Sequence, residues 1–267
     1  MATDSDAAPP QYDALASVYD LLWRVPAVHP LLPHLTSVVE KLAPASGASV
    51  LDLACGTGLG LRLMKRFGAS TLVGVDISPQ MLEIAKKLDP TLTVYTGDCT
   101  KPLDDLGLEP HGYDYVLGIW LLNYCPSSVE MAGMWANIGR YIKPGGKFVG
   151  IIENHDVAHP ISVRTMKYGG MMSDVQELEN GEGWSVHVVF DTQPPIEFDA
   201  FRLRGPILEA EAKKAGFGEI FYSKPTWEDV KVSVGEGIGG EDGKDEAWWT
   251  ELIEHSPNYV IVATKEG

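Results

Sequence analysis

The sequence predicts an α/β protein built on a doubly wound, mostly parallel sheet. Short runs of near-continuous Val, Ile and Leu recur through the first 153 residues, separated by helical stretches of about ten residues. Strands buried on both faces by covering helices carry this pattern. The first such run ends in a glycine-rich bend, "LDLACGTGLGL", at residues 51–61. After Glu153 the pattern changes to polar–apolar alternation, the mark of antiparallel strands with one solvated face.

Residues 1–11, "MATDSDAAPPQ", are small, polar and proline-containing, and read as a flexible tail before a single domain spanning 12–267. From Tyr12, "YDALASVYDLLW" sets Leu15, Val18 and Leu22 on one helical face, and "HPLLPHLTSVVEKLA" reads as a second helix. The alternation follows: strand "SVLDLA", helix "GLRLMKRF", strand "STLVGVDIS", helix "PQMLEIAKKL", strands "LTVYTGD" and "YDYVLGIWLL", helix "SSVEMAGMWANIGRYI", strand "KFVGIIE". Right-handed crossovers place the helices on both faces. Within 156–204, "WSVHVVFD" and "IEFDAFRLR" flank "TQPP" and predict an inserted antiparallel pair. A helix, "GPILEAEAKKAGF", then leads to strands at "EIFYSKP" and "YVIVATK". Between these two strands "GEGIGGEDGKDE" reads as a solvated loop.

The composition excludes several functions. With 37 acidic against 21 basic residues, the formal charge is −16, a field that repels phosphate backbones and anionic lipid. Nucleic acid and membrane surfaces are therefore excluded as partners. The three cysteines carry no metal-ligand spacing, so neither structural zinc nor a disulfide framework is expected. No run of about 18 apolar residues and no leader pattern is visible, which predicts a cytoplasmic protein, monomeric or homodimeric.

The glycine bend admits three readings. A phosphate loop needs a Lys followed by a hydroxyl residue, and none is present. A dinucleotide fingerprint needs a third small residue, where Leu61 stands. What remains is an acid two residues before a small residue, then two alternating glycines: Asp52, Ala54, Gly56, Gly58. This spacing resembles the acid-x-Gly-x-Gly-x-Gly motif of class I S-adenosylmethionine-dependent methyltransferases, with Ala54 in place of the first glycine. A methyl group there is expected to cost little, on the premise of ordinary backbone dihedrals.

The resemblance covers roughly residues 12–153 and is strongest to the small-molecule branch, toxoflavin-synthase-like or ubiquinone-methylase-like. It implies a Rossmann-like methyltransferase fold of seven strands, the last antiparallel, to which the alternation within 156–204 adds a β-rich cap inserted after strand five. It also implies S-adenosylmethionine as cofactor. Asp52 would order the methionine ammonium, Asp76 the ribose hydroxyls, Ile77 and Met81 the adenine ring, and Asp98 the adenine amino group. Tyr12 and Tyr19 would close over the methionine end, with Cys99 and Trp120 lining the site.

Methyl transfer from a sulfonium needs an in-line nucleophile and exclusion of water more than acid–base machinery. A hydroxyl acceptor would still need its proton removed. At the end of strand five, "IIENHD" offers Glu153 and His155 for that task. Trp23, Asn123, Tyr124, His155 and Met171 are the expected acceptor-binding residues, because aromatic and Met side chains suit a flat ring. The sequence thus predicts methylation of a nitrogen or oxygen of a small aromatic or heteroaromatic metabolite. Two alternatives stay open: a non-methylating rearrangement or cyclisation on the same cofactor, and a non-catalytic cofactor-binding partner subunit.

Overall fold

The first predicted helix forms in two pieces. α1 (Gln11–Leu15) stops after little more than one turn, and a 3-10 turn follows at Tyr19–Arg24. The break brings the Tyr12 and Tyr19 rings to 5.8 Å, edge to face. The computed structural model describes residues 10–155, 166–234 and 244–267. All of the predicted tail except Pro10 and Gln11 lies outside them, and Gln11 is already helical. α2 (Leu31–Leu42) buries Leu31, Leu35 and Val39 and ends at Ala43, whose φ is 46°.

The core alternation runs β1 (Ser49–Leu53), α3 (Leu59–Arg66), β2 (Thr71–Asp76), α4 (Pro79–Leu88), β3 (Thr93–Thr96), β4 (Tyr113–Ile119), α5 (Ser128–Tyr141) and β5 (Ile142–Glu153). Local chemistry sets the helix starts. Ser78 Oγ accepts from the Met81 amide while Pro79 supplies a preset first residue, and Ser127 Oγ caps α5 through the Val129 amide.

After β5 the chain forms a separate three-stranded antiparallel sheet, β6 (Gly170–Glu177), β7 (Gly183–Phe190) and β8 (Ile196–Leu203), in that order. The sequence predicts only β7 and β8. β6 escapes pattern reading because it opens on a glycine, buries only Met172, and is interrupted at Asp174 (φ 48°), where the register shifts. The chain then returns through α6 (Gly205–Lys214), β9 (Phe217–Ser223), α7 (Trp227–Val234), α8 (Glu246–Glu254) and β10 (Asn258–Lys265). α7 and α8 are unpredicted. Residues 235–243 of the predicted solvated loop lie outside the described residues, and Asp245 caps α8 through the Trp248 amide.

The main sheet has seven strands in the order β3-β2-β1-β4-β5-β10-β9. β1 to β5 are parallel, and β10 runs antiparallel between β5 and β9. This is the predicted doubly wound sheet with its antiparallel last strand. On one face Trp135, Phe148 and Phe217 pack as a fully buried aromatic cluster with centroids 5.1 Å apart. On the other, Leu31 and Leu35 of α2 and Leu61 and Met64 of α3 join one buried cluster with Val50 of β1, Leu117 of β4 and Val260 of β10. Strand order reverses at β1, so β1 and β4 diverge into a crevice at their carboxyl ends, where such sheets bind ligands. No helix among the described residues is long and apolar enough to cross a membrane.

Candidate functional site

The crevice holds a cavity of about 470 Å³. Asp52, near the end of β1, forms part of its floor; it is 1% exposed, and neither carboxylate oxygen has a hydrogen-bond partner. Burial, reinforced by the nearby Asp76 charge, pushes its pKa up to about 8.

Beyond Asp52 the chain coils through Ala54 (φ 60°), Gly56 (φ 51°) and Gly58 (φ 79°), all left-handed. The premise of ordinary dihedrals at Ala54 is therefore corrected: the alanine occupies a conformation that favours glycine. Ala54 and Gly56 line the cavity, but Gly58 faces away from it. A Cβ on Gly58 would stand 2.9 Å from Leu92 and 3.3 Å from Ala85, so this glycine lets α3 start against α4 and β3. Gly60, which the motif reading passed over, faces Asp52 and lines the cavity.

Asp76 ends β2. Its Oδ2 accepts from the Gly56 amide (2.8 Å) and its Oδ1 from the Ser78 amide (2.9 Å), which tie the bend to the second strand. Burial raises its pKa, and those two amides oppose the rise. Ile77 is half-exposed and Met81 buried on the same wall. Asp98 follows β3; burial acts to raise it, but the Thr100 amide and hydroxyl, with Lys101, hold it below the usual carboxylate range. Burial pushes the Cys99 thiol up to about 12, so it is a protonated filler.

The N-terminal segment roofs this cavity. The Tyr12 hydroxyl hydrogen-bonds the Tyr124 hydroxyl, and Gln11 exchanges two 3.0 Å hydrogen bonds with the backbone of Asp199 on β8. Thr57 of the bend donates to Asp20 (2.8 Å). Trp23, expected to bind an acceptor, packs on Trp120 with centroids 5.2 Å apart and lines this same cavity.

A second, narrower cavity of about 60 Å³ lies between the main sheet and the inserted sheet. The expected Asn123, Tyr124, Glu153 and Met171 line it, with Met172, Val188, Phe190 and Phe198 of the inserted sheet. Tyr19, Trp120 and Tyr124 line both cavities. Trp120 holds a left-handed backbone (φ 59°), and its Nε1 donates to Asn258 Oδ1 (3.1 Å).

Glu153 ends β5. Its Oε2 lies 3.0 Å from Nε of Arg202 on β8, both side chains about nine-tenths buried. Burial pushes its pKa up to about 7, against the opposing pull of Arg202 and a hydrogen bond with Asn123. His155 is not part of either main cavity. It packs beside Gly205 and lines a separate small cavity with Leu203 and Leu208, because regular alternation ends with the strand at Glu153. Sequence reasoning missed Arg202, although Phe198, Ala200 and Arg202 fall at the period of two that defines one face of β8.

The chain is thus an open doubly wound α/β protein with a nucleoside-sized cavity over the carboxyl edge of its sheet, lined by no lysine or arginine among the described residues. Residues 50–146 match the family described as "Methyltransferase domain", and the chain has the fold of the class I S-adenosylmethionine-dependent methyltransferases. It is 27% identical over 143 residues to a ubiquinone biosynthesis O-methyltransferase of Xylella fastidiosa, covering 53% of this chain and 56% of that protein. It is 32% identical over 110 residues to a demethylmenaquinone methyltransferase of Tropheryma whipplei, covering 41% and 44%. The chain thus spans about half the length of these relatives. An S-adenosylmethionine-dependent methyltransferase structure from Clostridium acetobutylicum superimposes with TM-score 0.60 at 15% identity, over 97% of this chain and all of that one.

S-adenosylmethionine is the cofactor this fold and family imply, and the residues present fit it. The buried, unpartnered Asp52 carboxylate is the group a methionine ammonium would satisfy. Five carboxylates, Asp20, Asp52, Asp76, Asp98 and Asp199, line the cavity and suit a cationic ligand.

Proposed function

We propose that the protein transfers a methyl group from S-adenosylmethionine to a nitrogen or oxygen of a small aromatic or heteroaromatic metabolite. The meeting of the two cavities carries this reading. Because Tyr19, Trp120 and Tyr124 wall both, a cofactor held by Asp52 and Asp76 on one side would face an acceptor on the other. When bound, the cofactor supplies an activated sulfonium methyl; the chain's own residues supply position and dryness. The acceptor cavity is walled by aromatic and Met side chains, and its volume, against roughly 10–15 Å³ per water, suits a small ring. The relatives, by their names, act in ubiquinone biosynthesis and on demethylmenaquinone, which supports a small-molecule acceptor.

A hydroxyl or N–H acceptor held in this cavity would have to lose its proton on methylation. Glu153 is the carboxylate at hand, with Asn123 fixing its orientation. His155 lies outside this cavity and lines the small cavity on the other side of Glu153.

Incubation with methyl-labelled S-adenosylmethionine and a panel of phenols, anilines and N-heteroaromatics tests the proposal. Label in a product supports transfer. Conversion without label would favour the rearrangement or cyclisation reading, and cofactor binding without any conversion the partner-subunit reading.

A further inference from the structure

We propose that Arg202, contributed by the inserted sheet, is a positioning residue for this reaction, holding the Glu153 carboxylate charged and turned toward the acceptor cavity. The inference rests on the methyl-transfer reading for its meaning.

The guanidinium has contacts on three sides, and its Nε pairs with Glu153 Oε2 through charge rather than through an aligned hydrogen bond. Nε lies 3.0 Å from Glu153 Oε2, Nη2 donates to the Asn154 carbonyl at 2.5 Å, and Nη1 reaches Met172 Sδ on β6 at 3.8 Å. Among the described residues, those facing Glu153 are Arg202 from β8, Asn123 and Tyr124 from the turn after β4, and His155 just beyond its own strand. Arg202 is the permanently charged cation among them. A carboxylate buried to this extent takes up a proton unless a cation compensates it, so this arginine decides the charge state. Because it arrives on β8, a competent base requires the inserted sheet to be seated on the main one. The sheet that shapes the acceptor cavity thereby also sets its proton chemistry.

The test compares wild type with Arg202→Met, Arg202→Lys and Glu153→Gln. Carboxylate titration by ¹³C NMR of Glu-labelled protein, with the Glu153 signal assigned by its loss in Glu153→Gln, reads the charge state directly. We expect a midpoint near 7 in the wild type, raised by about one unit or more in Arg202→Met and less in Arg202→Lys, which keeps the charge but loses the planar fork. With an acceptor that accepts label, the acid limb of kcat should move up by the same amount, the rate recovering at alkaline pH with KM little changed. Wild-type affinity for S-adenosylhomocysteine certifies that a variant is folded; if Arg202→Met does not meet it, Arg202→Lys carries the test. A midpoint unmoved in the folded variants overturns the inference. A moved midpoint with no labelled product from any acceptor would instead overturn the methyl-transfer reading and leave the coupling supported.

Discussion

Asp52 Oδ2 occupies the space that a side chain on Gly60 would need: a Cβ built there stands 2.6 Å from it. The two residues lie on β1 and in the first turn of α3, so the glycine-rich bend folds back to leave its own strand's carboxylate uncrowded.

Gly60→Ala should therefore separate stability from binding. Alanine favours the helix by about 1 kcal/mol, while its methyl displaces the carboxylate. Leu117 and Ile119, at 3.0 and 3.1 Å from that Cβ, leave little room elsewhere. Calorimetry should show affinity for S-adenosylhomocysteine falling at least about tenfold (about 1.4 kcal/mol), with the protein still folded. Undiminished affinity would remove Asp52 from ammonium binding.

Asp52 makes the cofactor-free protein pH-sensitive in a defined direction. Its folded pKa of about 8 lies above the unfolded carboxylate value, so the folded state holds the extra proton between roughly pH 4 and 8 and stability falls as pH rises through that window. Asp52→Asn should flatten this slope and stabilise the free protein near pH 8 by up to about 5 kcal/mol, while weakening cofactor binding. A cationic ammonium beside Asp52 favours its ionised form, so binding at neutral pH should release a proton, read as a buffer-dependent binding enthalpy. A buffer-independent enthalpy would contradict the placement.

The parallel core was legible because strands buried on both faces must be continuously aliphatic, and the strand-end acids Asp52, Asp76 and Asp98 were legible because topology places those ends together. The bend was only half legible. Once α3 starts at Leu59, each residue rotates by about 100°, so Gly58 turns toward Leu92 while Gly60 turns toward Asp52, a distinction that motif spacing does not contain. His155 falls outside the two main cavities for a related reason. Alternation would aim it with Glu153, but the strand stops and the Asn154 amide instead bonds the Pro257 carbonyl. β6, α7 and α8 depend on partners distant in sequence, such as Tyr168 against Trp248 and Val230 in one cluster.

Ala54→Gly should stabilise the protein slightly. The left-handed backbone at φ 60° costs an alanine about 1–2 kcal/mol, and glycine gives back about 0.4–1 kcal/mol through a looser unfolded chain. Thermal unfolding should show a net gain of about 0.5–1 kcal/mol, with cofactor affinity unchanged because the backbone path is already that of a glycine. A clear loss of stability would mean that the alanine methyl makes contacts outweighing the strain.

Far from the site, His34 on α2 clamps the C-terminal elements. Its Nδ1 lies 3.0 Å from Asp229 Oδ2 on α7 and its Nε2 3.0 Å from Ser223 Oγ at the end of β9. Burial acts to raise Asp229, but His34 and the Thr226 hydroxyl and amide, both at 2.7 Å, hold it below the usual carboxylate range. A depressed carboxylate stabilises the fold above its unfolded pKa and loses that contribution as pH falls through the folded value. Asp229→Asn should therefore cost about 1–3 kcal/mol at neutral pH, and the cost should shrink at strongly acid pH as the wild-type group protonates. Urea midpoints at the two pH values check this. Because the clamp lies outside both cavities, S-adenosylhomocysteine affinity should stay at the wild-type level, and a parallel loss of binding would show that the clamp also holds the crevice in shape.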